Sequence, residues 1–326
     1  MKKAQISIQL NWIFVFIVGA VILLFFVMIV QSQTKDANFE LAGALINNLD
    51  TVIKSSEQSS GSLKLIQMPD ITIEFVCEPD ISFYDIGNGV KKDTPYDIIF
   101  SQSKLRGHEL ISWTRSWDLP FRIGFFQYLT TKRTLFIVVK DLGGSAEELY
   151  DELPSNITKM LVDQDAELEE LNYDSYKIIE FVGNEHDGIN VHMRANKVHK
   201  ITINTTDIDS YGEITFDDDK THKFLKKESL FGAIFSEDAA FYECTMNKSF
   251  QRLNTLMTLN QNRIENLSSS VTDISCRTFY SWALDEIQTI TNNPTLANTV
   301  AIYQNSANLE QDNDNLMRAK KCPLIY

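Results

Sequence analysis

The chain has 326 residues, of which 44% are hydrophobic and 23% charged, with only 13 Gly and 7 Pro. This composition is typical of globular proteins and excludes a disordered or fibrous chain. The formal net charge is −14, from 30 basic and 44 acidic residues. Because so acidic a surface repels phosphate backbones, we expect no nucleic-acid partner.

The first predicted element is a membrane-spanning helix. No charged or strongly polar residue occurs from Trp12 to Val30, and this run is about 28 Å of helix, close to the ~30 Å hydrocarbon core. Lys2 and Lys3 precede the run and favour a cytoplasmic N-terminus, with the rest of a single-pass protein outside the cytoplasm. A cleaved secretory signal is the alternative, although residues 31–35 offer no small-x-small cleavage site.

The residues before this run carry a second signal. Residues 2–9 read Lys-Lys-Ala-Gln-Ile-Ser-Ile-Gln and lead directly into the apolar helix. This start resembles the class III signal sequence of archaeal prepilins, in which a basic pair and a small residue precede the cleavage site and Gln-x-Ser begins the mature helix. The resemblance implies cleavage between Ala4 and Gln5, with residues 1–4 as the leader and the helix retained on the mature protein.

The resemblance is confined to this start and the helix, and it identifies no family for the rest of the chain. The sequence departs from it at Gln9, where many pilins carry a Glu that helps to align neighbouring subunits. An ordinary uncleaved signal anchor is the alternative interpretation of the same residues.

Helical periodicity continues beyond the membrane run. Apolar residues recur at spacings of three and four, no Pro occurs before Pro69, and the polar stretch 31–36 leaves open a bend in the helix. We expect the apolar stripe to pack on the chain's own folded part, or alternatively on a neighbouring subunit. The membrane helix and its extension are assigned to residues 5–60. The stripe comprises Phe39, Ala42, Leu45, Ile46, Leu49, Val52 and Ile53.

Residues 61–235 predict a mixed α/β region. Alternating apolar residues indicate strands from Ile71 to Cys77 and from Phe121 to Thr130. The continuous apolar run 135–139 indicates a strand buried on both faces. A Gly-Gly-Ser turn and a short helix follow it, and further strands are expected between residues 157 and 216. This strand–helix–strand order favours a mixed sheet with at least one crossover.

Residues 236–326 predict a helical region. The first helix begins at Ser236, the second extends from Arg277 to Ile290, and the third begins near Pro294 and ends near Cys322. We therefore expect an α+β protein with a long N-terminal membrane helix, a mixed α/β sheet outside the membrane and a C-terminal helical bundle.

The four cysteines predict two disulfides if the folded part lies outside the cytoplasm. Four cysteines allow three pairings. If the three helices alternate in direction, Cys322 at the end of the third lies beside Cys276 at the start of the second, which leaves Cys77 to pair with Cys244. Buried reduced thiols are the alternative.

Two short segments resemble binding loops. Residues 143–145 (Gly-Gly-Ser) lie between a strand and a helix, where phosphate can dock, but they match no nucleotide-binding motif and are interpreted as a turn. Asp207, Asp209 and Asp218 have the spacing of a calcium loop, which Tyr211 interrupts. We interpret this second segment as a polar turn before a strand.

No residue pattern predicts catalysis. The sequence has no zinc-binding spacing of His and Cys and no nucleophile motif, so we predict no enzymatic activity and no cofactor or metal. Trp113 and Trp117 are expected on one face of a helix, in the core or alternatively on an aromatic binding surface. Candidate glycan acceptors on an external domain are the sequons at Asn156, Asn204, Asn247 and Asn266.

The sequence therefore favours a membrane-anchored extracytoplasmic surface protein with a binding or assembly role, for example as a pilin-like subunit. The alternatives are a membrane-anchored enzyme that uses the α/β region and a structural subunit of a membrane complex. The expected partners are membrane lipid and proteins, including further copies of the chain.

Overall fold

The computed structural model describes residues 3–56, 59–78, 81–86, 90–164, 166–167, 171–183, 198–319 and 321–326. Within these ranges the chain forms a long N-terminal helix, two six-stranded sheets and a group of C-terminal helices. The predicted α+β class is therefore confirmed.

Helix α1 (Lys3–Ser56) continues without a break through the polar stretch at residues 31–36. Its C-terminal half packs on the first sheet, so the chain covers the predicted apolar stripe by itself. The side chain of Phe39 lies outside the described residues, and Val52 is partly buried. The buried members of the stripe are Ala42, Leu45, Ile46, Leu49 and Ile53.

The first sheet has the strand order β3-β2-β1-β5-β6-β4 and is antiparallel except for the pairing of β4 with β6. It separates two cores, because alternate residues of a strand point to opposite faces. Ile99 on β4 faces the core beneath α1, while Ile98 and Phe100 face the larger core on the other side. The strands are β1 (Leu63–Cys77), β2 (Ser82–Asp85), β3 (Lys91–Asp93), β4 (Ile98–Phe100), β5 (Lys104–Asp118) and β6 (Arg122–Thr131).

Trp113 and Trp117 lie on strand β5, so the prediction that they occupy a helix is wrong. A spacing of four is even and therefore places both on one face of a strand as well. Trp117 stacks on Phe126 with ring centroids 5.0 Å apart, and Trp113 lies 4.8 Å from the ring of Tyr128. Both indoles are thus part of the core and form no exposed aromatic surface.

The second sheet has the order β12-β11-β10-β9-β7-β8. Strands β8, β7, β9 and β10 are neighbours and run parallel to one another. Strand β11 pairs antiparallel with β10 and with β12, as expected for a mixed sheet with a crossover. Strand β7 is buried at all positions. The elements are β7 (Thr134–Val139), helix α2 (Ser145–Glu152), β8 (Thr158–Val162), β9 (Ser175–Phe181), β10 (Val198–Asn204), β11 (Tyr211–Phe216) and β12 (Thr221–Leu225).

Four helices complete the chain, and the first was not predicted. Helix α3 is buried on nearly all sides between the sheets, with Phe231 4.9 Å from Trp113 and Phe235 5.0 Å from Phe136. Gly232 is required there, since a Cβ would lie 2.7 Å from the ring of Phe100. The helices are α3 (Lys226–Phe235), α4 (Ala239–Ser270), α5 (Ile274–Asn292) and α6 (Thr299–Ala319).

Helix α4 begins at Ala239, three residues later than predicted, because Asp238 caps it. The Asp238 carboxylate accepts a hydrogen bond of 2.8 Å from the Phe241 N–H. The larger core includes residues on both sides of the predicted boundary at 235–236, and that domain boundary stays a prediction.

Both disulfides join distant segments, and their pairing is the one expected from the helix directions. Cys77 at the end of β1 is bonded to Cys244 on α4, and Cys276 on α5 is bonded to Cys322 beyond α6. The first bridge connects the sheet that carries α1 to the helical part of the molecule.

Lys177 on β9 is a fully buried lysine that holds the end of a helix. Its ammonium group donates to the carbonyl oxygens of Ser236 and Glu237, directly after the last residue of α3. A cation at a helix C-terminus also interacts favourably with the helix dipole. This contact joins the second sheet to the turn between α3 and α4.

We expect Lys177→Met to lower the free energy of unfolding by about 2 to 4 kcal/mol, because buried carbonyls lose their charged donor. Urea unfolding followed by tryptophan fluorescence measures the change. Lys140→Met, which removes an exposed lysine paired with Asp163, should change it by less than about 1 kcal/mol. Equal unfolding midpoints for the two variants would contradict the assigned role.

Candidate membrane anchor and surface sites

The segment Trp12–Gln33 of α1 is the part of the described chain that is long and apolar enough to cross a membrane. Its 22 residues correspond to about 33 Å of helix. Exposure of its large apolar side chains ranges from 37% for Ile29 to 72% for Phe16. So large an apolar surface is unfavourable in water, and lipid or another apolar surface would stabilise it.

The ends of this segment match the predicted anchor. Trp12 is 63% exposed and Val30 is 60% exposed, and polar residues follow the segment. The predicted cleavage position between Ala4 and Gln5 lies in the first turn of α1, and the side chains of these two residues lie outside the described set. Cleavage at this position stays a prediction.

The packed half of α1 is held by polar contacts as well as by apolar burial. The buried Gln127 amide donates to the Ile53 carbonyl at 2.8 Å, near the end of the helix. Asp50 accepts from Lys54 at 2.8 Å and lies 3.3 Å from Lys92 of β3. The hydrogen bond from Lys54, together with Lys92, lowers the pKa of the Asp50 carboxyl. These contacts attach the C-terminal half of α1 to the first sheet.

An ionic network joins the first sheet to α2 and α3. It includes Asp209, one of the three candidate calcium ligands. Arg115 of β5 contacts Glu152 at 2.7 Å and Glu228 at 3.6 Å. Lys227 lies 3.0 Å from both Glu152 and Asp209. Burial raises the pKa of Glu228, whereas hydrogen bonds from Arg115 and Lys227 outweigh burial and lower that of Glu152. Asp209 is thus engaged in an ion pair within the fold.

The other two calcium candidates are also engaged within their own turns. The Asp207 carboxylate accepts from the Asp209 N–H at 2.8 Å, and Asp218 pairs with Lys220 at 2.7 Å. The glycine at position 212 is required by packing and not by a calcium loop, because a Cβ there would lie 2.7 Å from the carbonyl oxygen of Asn204. Among the residues described, no group of three or more His, Cys, Asp or Glu is arranged to hold a metal ion.

The Gly-Gly-Ser turn before α2 is closed by an acidic side chain. Asp141 accepts hydrogen bonds from the Gly143 N–H at 3.1 Å and the Ala146 N–H at 2.8 Å. Ser145 is the first residue of the helix and not its cap. A phosphate at these donors would meet the carboxylate of Asp141, so the geometry fits a structural turn.

All four sequon asparagines are exposed. Asn156 lies in a turn and Asn204 at the end of β10, whereas Asn247 and Asn266 lie on α4. The hydroxyl of Ser249, the third residue of the Asn247 sequon, is buried and bonded to the Thr245 carbonyl at 3.0 Å. The Asn247 sequon is therefore inaccessible to a modifying enzyme once α4 has formed. Glycosylation at the other positions stays a prediction.

Two carboxylates face each other between the C-terminal helices. Asp312 on α6 is only 7% exposed, and burial together with the charge of Glu286 raises its pKa to about 6. Burial also raises the pKa of Glu286 on α5, whose carboxylate accepts from Asn308 at 3.1 Å. Between pH ~4 and ~6 the folded protein thus binds more protons at Asp312 than the unfolded chain does.

Because of this raised pKa, the contribution of Asp312 to the free energy of unfolding is most favourable below pH ~4 and is lost as the pH rises through about 6. We expect Asp312→Asn to raise the free energy of unfolding at pH 8 by about 1 to 3 kcal/mol and to give little gain at pH 4. Urea unfolding at both pH values measures this, with Glu310→Gln on the exposed face of α6 as the control. A gain of the same size at both pH values would refute the assignment.

A groove on the surface was not predicted, because its lining comes from three distant parts of the chain. It lies between the C-terminal half of α1, the segment 92–98 and α4, and its volume is about 1020 Å³. A second hollow of about 310 Å³ adjoins it along α4. The two share Lys248 and Gln251, and we call them together the α4 groove. None of these segments carries a recognisable binding motif.

No protein-family model matches the chain, and neither a curated protein nor a solved structure shows significant similarity to it. The function is therefore inferred from the apolar segment of α1 and the surface of the fold. The expectation that the protein is not an enzyme and uses no cofactor stays a prediction.

Proposed function

We propose that this protein is a single-pass membrane-anchored surface protein with the architecture of a pilin-like subunit. The observation that carries the proposal is the division of one continuous helix into two halves. The segment Trp12–Gln33 is exposed and apolar, while residues 42–53 pack on the first sheet. Such a helix places the folded part immediately next to the membrane.

The orientation that we propose has the N-terminus in the cytoplasm and the folded part outside. Lys2 and Lys3 precede the apolar segment, which supports this orientation through the positive-inside rule. The two disulfides support it independently, because such bonds persist mainly in oxidising compartments outside the cytoplasm.

The pilin-like part of the proposal rests on the N-terminal signal. Removal of residues 1–4 would leave the apolar segment on the mature chain, with Gln5 as its first residue. Gln9 supplies no carboxylate of the kind that helps to align pilin subunits, so assembly of this chain would depend on apolar contacts between neighbouring α1 helices. The partners are then membrane lipid and further copies of the chain, and no nucleic acid is involved.

Mass spectrometry of the mature N-terminus, in a host that has a class III signal peptidase, tests the processing step. We expect Gln5 at the N-terminus, and we expect Ala4→Phe to block cleavage because a small residue is required before the cut. Val21→Leu, in the apolar segment outside the signal motif, serves as the control. An intact Met1 in the native protein would remove the pilin-like proposal and leave the anchor proposal standing.

Protease treatment of intact cells tests the orientation separately. We expect the folded part to be digested while a cytoplasmic marker protein remains intact. Protection of the folded part in intact cells, with digestion only after lysis, would show that the proposed orientation is wrong. Electron microscopy of purified cell-surface material then shows whether the processed protein forms filaments.

A further inference from the structure

The α4 groove is an extended concavity whose lining is part polar and part apolar. The residues that line it on α4 run from Cys244 to Leu256, and twelve helical steps of ~1.5 Å make it about 18 Å long. The C-terminal half of α1 and the segment 92–98 form the opposite wall of its larger part, and Pro294 and Thr295 border the smaller part. Its shape suits a short linear chain better than a compact small molecule.

Three side-chain amides point into the smaller hollow from one face of α4. Asn247, Gln251 and Asn254 follow each other at spacings of four and three, which place them on the same side of a helix. The structure shows no hydrogen bond from these amides to other described residues. Each amide offers two donors and an acceptor, so the row can bind a ligand that presents both kinds of group.

The charges of the groove largely balance each other. Its larger part is lined by four basic and three acidic residues. Asp50 is already paired with Lys54 and Lys92, and Lys248 donates to the hydroxyl of Ser82. A strongly anionic or cationic ligand would therefore find little net attraction, while a purely apolar ligand would leave the polar side chains of the lining without hydrogen bonds.

An exposed aromatic ring completes the groove. Tyr96 lies in the segment between β3 and β4, lines the larger hollow and is 84% exposed. The ring offers an apolar face for stacking and a hydroxyl for hydrogen bonding. A tyrosine left this open at the edge of a polar groove is available to a ligand that has both an apolar face and polar edges.

We propose that the α4 groove binds a linear carbohydrate chain. Sugar rings are uncharged, present hydroxyl groups that donate and accept, and have C–H faces that pack on aromatic rings. In this assignment Tyr96 stacks on one sugar ring, and Gln251 with the neighbouring amides binds the hydroxyls of the next rings. The inference does not depend on membrane orientation or on cleavage of the leader, so its failure would leave the proposed function unaffected.

The test is titration calorimetry on the full-length protein in a zwitterionic detergent, since glycoside detergents would compete for the groove. The probes are linear tetrasaccharides of β1,4-glucose, β1,4-N-acetylglucosamine and α-mannose. We expect saturable binding of at least one of them, with Kd below about 1 mM. Tyr96→Ala and Gln251→Ala should each weaken it by about tenfold, the loss of one stacking or hydrogen-bonding contact.

Matched controls on α5 are Trp282→Ala, which removes another exposed aromatic ring, and Gln288→Ala, which removes another exposed amide. Both should bind the sugar as the wild type does, and circular dichroism should show that all four variants remain folded. The proposal is overturned if no tetrasaccharide binds at about 10 mM, or if the groove and control variants bind equally. Salt-sensitive binding of poly-glutamate instead of sugar would also overturn it, since the groove would then recognise charge.

Discussion

Replacing Ile22 and Leu23 by arginine is expected to release the protein from membranes. The two residues lie at the centre of Trp12–Gln33, and their side chains are 50% and 64% exposed. Each arginine at the middle of a spanning helix costs about 3 kcal/mol, and the lost apolar side chain costs about 0.5 kcal/mol more. The pair should therefore disfavour insertion by about 7 kcal/mol, which is comparable with the whole favourable insertion energy of the segment at about 0.3 to 0.6 kcal/mol for each apolar residue.

Membrane fractionation with an alkaline carbonate wash measures this release. The matched control places two arginines at exposed positions of the folded part, Thr258→Arg on α4 and Gln288→Arg on α5, and this variant should remain in the membrane pellet. The exchange Ile22→Leu with Leu23→Ile keeps the segment apolar and should also remain there. If the double arginine variant of the anchor stays with the membranes, α1 is not what attaches the chain.

Removal of the Cys77–Cys244 disulfide is expected to give a larger loss of stability than removal of Cys276–Cys322. The bridge closes a loop with a sequence separation of 167, for which chain entropy gives about 5 kcal/mol. Cys276–Cys322 closes a separation of 46 and should contribute about 4 kcal/mol. The longer bridge also holds the sheet that carries α1 against α4.

Urea unfolding of the two double serine variants, compared with the wild type, tests this order. We expect both variants to unfold at lower urea, and the variant without Cys77 and Cys244 first. Thiol labelling of the wild type, purified without reductant and unfolded, should detect no free cysteine. Labelling of two thiols would show that one bridge does not form, and labelling of four that neither forms. A loss below about 1 kcal/mol would show that the bridges contribute little.

Several elements were predictable because a local pattern is sufficient to define them. The apolar segment of α1 must be helical in lipid, where each backbone amide needs a partner within the segment. The stripe from Ala42 to Ile53 continues the same period, which predicts that this face is buried, and the structure shows that the first sheet covers it. The run 135–139 is a strand buried on both faces because no polar residue interrupts it.

Other elements were misjudged where a local pattern is ambiguous. The spacing of Trp113 and Trp117 fits both a helix and a strand, and only pairing of β5 with β1 and β6 decides between them. Helix α3 was missed because residues 229–235 are buried on every side and show no helical period. Its place between two sheets explains this composition.

The sequence by itself therefore determined the long apolar N-terminal helix, the α+β class and the disulfide pairs expected from alternating helices. Only the tertiary structure decided that the strands form two sheets, since β6 and β7 are adjacent in the chain, with β6 ending at Thr131 and β7 beginning at Thr134, and yet belong to different sheets. It also brought Asp209 to Lys227 and assembled the α4 groove from α1, the segment 92–98 and α4. Local periodicity reports which face of a segment is buried, whereas the choice of partner depends on contacts between residues far apart in the chain.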